Sequence, residues 1–300
     1  MKTVLLPLPG NEVLATALLA QPALSGKAEL GELMVRSFPD GETHLRLLSD
    51  VDGARVVLVA TLDRPDPKLL PLLFAAALAR DYGAAQIGLL APYLSYMRQD
   101  ACFNPGEGVT ARYFAEILSS RFDWLVTVDP HLHRIARLEQ VYGCTSRVVH
   151  AAPAIAEWIV AKVPVPILIG PDEESEQWVA AVAAMAKAPY VVLSKIRHGD
   201  QQVAVSCPDK TLLSGRTPVL VDDIVSTAHT MAETLQHLRQ LGTKPAVCVA
   251  VHAVFTEGAV ERLTRAGAKH VVSCNTIAHP SNDIPLDRWL AEAIQQVGAL

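Results

Sequence analysis

Short, nearly unbroken runs of Val, Ile and Leu recur along this chain, and most are followed by a stretch with helical spacing. RVVLVAT (55–61) precedes a Leu- and Ala-rich helix over 68–82. QIGLLAPY (86–93) leads through a loop to a helix near 108–121, and PILIGPD (166–172) to one near 175–187. PVLVDD (218–223) precedes a helix over 227–241, and AVCVAVHAVF (246–255) one over 257–266. WLVTVDP (124–130), YVVLSK (190–195) and HVVSCNT (270–276) complete the strand set, which Val4 to Leu6 opens. Strands that are apolar on both faces must be covered on both. Alternation with helices therefore predicts an α/β fold of mostly parallel sheets flanked by helices. The series runs through twice, with a seam near 143–153. Two similar domains are expected, 1–147 and 148–300, with the last helix free to pack on the first domain.

Half of the 300 residues are hydrophobic and 19% are charged, enough to build a core in each domain. The net charge of −5 argues against a nucleic-acid partner, which would call for a basic stripe. In MKTVLLPLPGNEV the apolar run is broken by Pro7, Pro9, Gly10, Asn11 and Glu12, so it reads as strand, turn and helix start and not as a leader. No apolar run approaches the roughly 20 residues that span a bilayer, so no membrane partner is expected. The five cysteines (102, 144, 207, 248, 274) lack metal-site spacing. They read as reduced thiols of a cytoplasmic protein.

In open parallel sheets, ligands bind beyond the carboxyl ends of the strands. The polar motifs cluster there: Pro92–Asp100, Asp129–His133, Gly170–Glu174 and Asp222–Thr230. In VLVDDIVSTAHTM (219–231) a buried strand ends on two adjacent acids, followed by hydroxyls and a helix start. Helix N-termini attract phosphate through unpaired amides, and Ser226, Thr227 and Thr230 add donors. Asp222 and Asp223 suit ribose hydroxyls or a hydrated Mg2+. Acids and loop together fit a sugar phosphate; helix capping by Asp223 or Ser226 would explain only one acid. Lys195 and Arg197 lie two apart after a strand, on one side of an extended segment. They could clamp phosphate or form a solvated pair. His131 and Asp172 end separate strands and suit a metal, although a lone histidine is more often structural. Arg98 and Gln99 offer a charge and a two-way amide. Phe38, Asp40 and Glu42 offer a stacking ring and two acceptors, or simply a Pro-Asp-Gly turn.

Five segments together resemble the ribose-phosphate pyrophosphokinase (phosphoribosyl pyrophosphate synthetase) family. SFPDGETHLRL (37–47) resembles its F-x-D-G-E segment, APYLSYMRQD (91–100) its P-Y-x-x-Y-x-R-Q-D segment, and VTVDPHLH (126–133) its V-D-x-H segment. LSKIRHGD (193–200) resembles its K-x-R flexible loop, and VLVDDIVSTAHTM its ribose-5-phosphate loop. Order and spacing agree over nearly the whole chain, and FNPGEGVTAR (103–112) is similar to compact archaeal-like members. The resemblance implies two domains of phosphoribosyltransferase-type fold and Mg2+-dependent transfer of pyrophosphate from ATP to ribose 5-phosphate. It implies that Lys195 and Arg197 stabilise the transferring group. Phe38, Asp40, Glu42, Arg98, Gln99, Asp100 and His131 would bind ATP, and His131 and Asp172 would hold the metal. Asp222, Asp223, Ser226, Thr227, Ala228, His229 and Thr230 would bind ribose 5-phosphate. His133 ranks well below His131. In the family the F-x-D-G-E segment reaches a neighbouring subunit's ATP site, which implies a homo-oligomer, a dimer or higher.

The sequence also departs from the pattern. Glu173, Glu174 and Glu176 replace small residues, His229 stands where a glycine is usual, and Met97 replaces a small residue. These departures keep a second reading open, a weakly active or inactive synthetase-like regulatory subunit. A phosphoribosyltransferase that consumes phosphoribosyl pyrophosphate is a third. It would share 219–231 but have no need of Arg98–Gln99 or Phe38–Glu42.

Overall fold

The computed structural model describes all residues except 133, 173–174, 194, 199–201, 206–209 and 298–300; for 195–198, 202–205 and 210 it describes the backbone alone. Contacts divide the chain into two compact units, Met1–Val149 with Leu286–Leu300, and His150–Pro285.

The first unit runs β1 (Thr3–Pro7), α1 (Glu12–Leu19), β2 (Ala28–Leu30), β3 (Leu33–Ser37), β4 (Thr43–Leu47), β5 (Arg55–Val59), α2 (Asp66–Asp81), β6 (Gln86–Ala91), α3 (Thr110–Ser119), β7 (Trp124–Val128) and β8 (Thr145–Val149). Its six-stranded sheet has the order β2-β1-β5-β6-β7-β8, and every pairing is parallel. Leu6, Leu58 and Leu89 pack with Leu72 and Ala75 of α2 and Phe114 of α3. Strand neighbours alternate faces, so Leu5, Val57 and Leu90, all fully buried, face the opposite layer. Gly88 of β6 sits opposite Trp124 of β7, and a Cβ there would lie 2.0 Å from the indole ring. Only glycine lets that ring lie across the strand.

The second unit runs α4 (Ala152–Lys162), β9 (Pro166–Gly170), α5 (Glu176–Ala186), β10 (Tyr190–Val192), β11 (Lys195–His198), β12 (Gln202–Val205), α6 (Lys210–Leu213), β13 (Thr217–Ile224), α7 (His229–Gln240), β14 (Ala246–His252), α8 (Ala259–Ala266), β15 (Ala268–Cys274) and β16 (Asn282–Ile284). Its sheet order is β10-β9-β13-β14-β15-β16, again parallel throughout. Every residue of β14 is buried, as its continuous apolar run predicts. Ile167, Ile169 and Leu220 pack with Met231 and Leu235 of α7 and Leu263 of α8. The chain then returns to the first unit as α9 (Asp287–Val297), which packs on α1, β7 and β8.

Strand for strand, the two sheets have the same order. Each also has an antiparallel hairpin at the same point in the chain, β3–β4 and β11–β12. Two regions differ from the sequence reading. Residues 145–149, read as part of a seam, form the edge strand β8, whose alternating exposure suits a sheet edge. The turn at 37–42 closes a true hairpin and not an isolated loop.

Candidate active site

In each sheet the strand order reverses at one crevice, between β1 and β5 in the first unit and between β9 and β13 in the second. Among the described residues, seven other than glycine have positive φ: Arg64, Tyr96, Asp129, His131, Val165, Lys187 and Ala228. Arg64, Tyr96, Asp129, His131 and Ala228 lie in loops leaving the carboxyl ends of strands. Unfavourable backbone geometry of this kind concentrates at functional sites.

In the second unit, Asp172 follows β9. Its Oδ1 accepts the Ser175 amide at 3.2 Å, and Ser175 Oγ donates to its carbonyl at 2.6 Å. Asp172 thus steadies the turn into α5 while remaining half-buried. Across the crevice, β13 extends one residue beyond the expected strand, to Ile224. Asp222 Oδ1 accepts the Asp223 amide at 3.0 Å, and Asp223 Oδ1 the Ile224 amide at 2.7 Å. Asp223 is only 4% exposed, whereas Asp222 is half-buried, as alternation along a strand requires.

The loop beyond is pinned from outside. Thr256 N donates to Ser226 O at 3.2 Å, and the Arg262 guanidinium donates to Thr227 O. Ala228 then takes a left-handed conformation, φ 60° and ψ 18°, just before α7. Among the described residues no side chain caps this helix, which leaves its first-turn amides available to an anion. His229 is exposed at the first helical position, while the left-handed residue is the buried Ala228. The backbone demand expected at 229 therefore falls one residue earlier. Ser226 and Thr230 are half-buried and Thr227 is exposed.

His252 escaped sequence reasoning. It is 1% exposed at the end of β14, with Nδ1 3.0 Å from Thr276 Oγ1. Its carbonyl accepts Val225 N at 3.2 Å and Val254 N at 3.0 Å, fixing the start of the loop. A histidine inside an apolar strand carries no local signal of that task. Lys195 and Arg197 lie on β11, but their side chains are outside the described residues. Glu173, Glu174, Gly199, Asp200, His133 and Cys207 are likewise outside the described set.

In the first unit, Phe38, Asp40 and Glu42 are exposed at the tip of the β3–β4 hairpin. Gly41 takes φ +93°, Phe38 N donates to Glu42 O at 2.8 Å, and Glu42 N to Asp40 Oδ1 at 3.2 Å. Phe38 packs edge-on to His44 at 5.6 Å, with the Arg36 guanidinium 5.1 Å from its ring centre. Beyond β6, Met97 is buried and Arg98 exposed. Gln99 Oε1 accepts Thr110 Oγ1 at 3.0 Å at the start of α3. The Tyr96 hydroxyl donates to Asp66, and that bond, more than burial, pushes the phenol pKa up. Asp100 pairs with Arg134, a residue that no motif marked, at 3.1 Å. His131, half-buried, donates its amide to Asp129 O at 2.8 Å.

His131 and Asp172 thus stand in different units. Asp172 and Asp222 are hard oxygen donors of the sort that suit a hydrated Mg2+, whereas the His131 imidazole is a borderline nitrogen donor. Among the described residues no three His, Cys, Asp or Glu side chains converge, so such an ion would keep most of its waters. The four described cysteines are free thiols, and burial pushes Cys248 up to about 12. No described helix is long and apolar enough to cross a membrane.

Fold and crevices define a phosphoribosyltransferase-type α/β enzyme of two like units. Residues 5–121 match the N-terminal domain of ribose phosphate pyrophosphokinase, and residues 145–289 the phosphoribosyl transferase domain. The ribose-phosphate pyrophosphokinase of Methanopyrus kandleri is 31% identical over 90% of this chain and 92% of its own. That of Halobacterium salinarum is 33% identical over 93% and 97%. The chain belongs to the ribose-phosphate pyrophosphokinase family. A crystal structure of phosphoribosylpyrophosphate synthetase from Mycobacterium smegmatis shares the fold, with a TM-score of 0.84 at 22% identity over 100% of this chain and 99% of that one.

Proposed function

We propose that this enzyme transfers pyrophosphate from ATP to the 1-hydroxyl of ribose 5-phosphate, giving phosphoribosyl pyrophosphate and AMP. The observation that carries the reading is the β9/β13 crevice. There Asp222 and Asp223 precede an uncapped helix N-terminus lined by Ser226, Thr227 and Thr230. The first-turn amides, with Ala228 and His229 at the turn, take the 5-phosphate, and the two acids accept from the ribose diol. This orients the 1-hydroxyl oxygen toward the β-phosphorus of ATP. The oxygen forms the new bond, the bond from the β-phosphorus to the α–β bridging oxygen breaks, and AMP leaves with that oxygen. The hydroxyl proton passes to water. Lys195 and Arg197 neutralise charge on the transferring group. Arg98, Gln99 and His131 hold the nucleotide, with Phe38, Asp40 and Glu42 supplied by the hairpin of a second copy of the chain. Bound Mg2+ would neutralise phosphate charge, and His131 and Asp172 are the residues that would hold it. A cytoplasmic location follows from the supply of ATP.

The test is AMP release from Mg2+–ATP with and without ribose 5-phosphate, beside Lys195→Ala. AMP formed only with the sugar is expected, falling at least about 100-fold in the variant, the scale of losing one transition-state donor. Tight ATP binding without AMP would replace this reading with that of a regulatory subunit.

A further inference from the structure

We propose that Arg134 is a positioning residue of the nucleotide site, acting through Asp100, and that Asp100 is its anchor and not a contact to ATP. This rests on the functional reading above. Asp100 closes the segment that carries Arg98 and Gln99, on the loop leaving β6. Its side chain is 5% exposed, and both oxygens are directed at one residue. Oδ1 accepts Arg134 Nη1 at 3.1 Å, and Oδ2 accepts the Arg134 main-chain amide at 3.3 Å. A bond to the amide places the backbone; a bond to the guanidinium sets the direction of the side chain. Together they fix the loop leaving β7 against the loop leaving β6.

The other side of Arg134 is held as well. Its guanidinium lies over the Phe103 ring, 4.9 Å from the centroid. A planar guanidinium can bond a carboxylate at its edge and stack its face on an aromatic ring at once, which the lysine ammonium cannot. The β7 loop needs outside support. Asp129 and His131 have φ of 27° and 53°, conformations that non-glycine residues hold only when their surroundings impose them. Arg134 lies three residues beyond His131 and ties this loop to the loop leaving β6.

Charge supports the same assignment. An unpaired carboxylate beside Arg98 would repel a triphosphate. Paired with Arg134, Asp100 leaves Arg98 as an exposed cation with no carboxylate partner among the described residues. Arg134 is itself 55% exposed, so the pair adds little to global stability and much to loop geometry.

The test uses the full chain with Arg134→Met, Arg134→Lys, Asp100→Asn and the double variant Arg134→Met/Asp100→Asn. Steady-state constants are measured for ATP and for ribose 5-phosphate. Binding of α,β-methylene ATP, whose α–β bridge cannot be cleaved, is titrated by calorimetry, and thermal midpoints are recorded. Arg134→Met and Asp100→Asn are each expected to raise KM for ATP and the analogue's Kd on the order of tenfold, the scale of misplacing binding groups. kcat and KM for ribose 5-phosphate stay within about twofold, and the double variant is no worse than either single one, because the two act as a unit. Arg134→Lys falls between Met and wild type. Arg134→Met with unchanged ATP affinity, or single effects that multiply in the double variant, overturns the proposal. So does a loss of thermal stability with no change in nucleotide affinity. A wild-type chain that makes no AMP overturns only the functional reading; the analogue titration still decides this one.

Discussion

Ala228 holds a conformation that costs an L-residue about 1–2 kcal/mol relative to the right-handed region. It is 5% exposed and immediately precedes α7, so the turn cannot relax without moving the helix start. Ala228→Gly removes the strain but loosens the unfolded chain by about 0.4–1 kcal/mol. The variant should therefore match or exceed wild-type stability by up to about 1.6 kcal/mol in urea denaturation. Ala232→Gly, within the same helix, should lose roughly 1 kcal/mol. Ala228→Val should lose more than either, because a β-branched residue tolerates positive φ least. A destabilised Ala228→Gly would show that the left-handed turn is not where the strain lies. The neighbouring acids differ in the same local way. Asp223 is buried and Asp222 half-buried, so the two carboxylates are not equivalent, although the letters D-D are identical.

At the scale of elements, β6 and β7 meet through one residue pair. The Trp124 ring fills the space that any side chain at Gly88 would need. Gly88→Ala should cost about 1–3 kcal/mol, the range for overpacking a core, and chemical denaturation should register it as an earlier midpoint. A neutral result would mean the indole can swing aside. The central strands were legible because burial on both faces leaves an unbroken apolar run. β8 was not: TSRVV, with its exposed Thr145 and Arg147, has the mixed character of a sheet edge. Nor were β3 and β4, whose ten residues include none that is buried. Their turn was legible from Pro39, Asp40 and Gly41, since turn chemistry is local.

At the scale of the whole molecule, one topology is used twice with different chemistry at the loops. The crevice of the second unit carries acids, hydroxyls and a bare helix N-terminus. The counterpart helix in the first unit begins at Asp66 and Pro67, a carboxylate and a residue without an amide hydrogen, where phosphate would otherwise bind. The duplicated hairpin at 33–47 instead exposes Phe38, Asp40 and Glu42. If it serves a second copy, two defective chains should repair each other. A chain with Phe38→Ala and Asp40→Asn, mixed with an Asp222→Asn chain after reversible dissociation, should regain AMP production that neither shows alone. Mixed oligomers without recovered activity would mean that each hairpin serves its own chain.

What the sequence by itself determined was set by periodicity and short-range chemistry. The apolar runs specified parallel strands, the acids and hydroxyls after them specified crevices at the carboxyl ends, and five motifs specified the family. Only the tertiary structure decided which distant residues meet. It returned α9 to the first unit, put Arg134 against Asp100, set His252 at the start of the loop after β13 and moved the left-handed residue to Ala228. A residue's own letter and its neighbours fix its local preference. Its partner across tens of residues is chosen only when the sheets close and each buried polar group must find a mate.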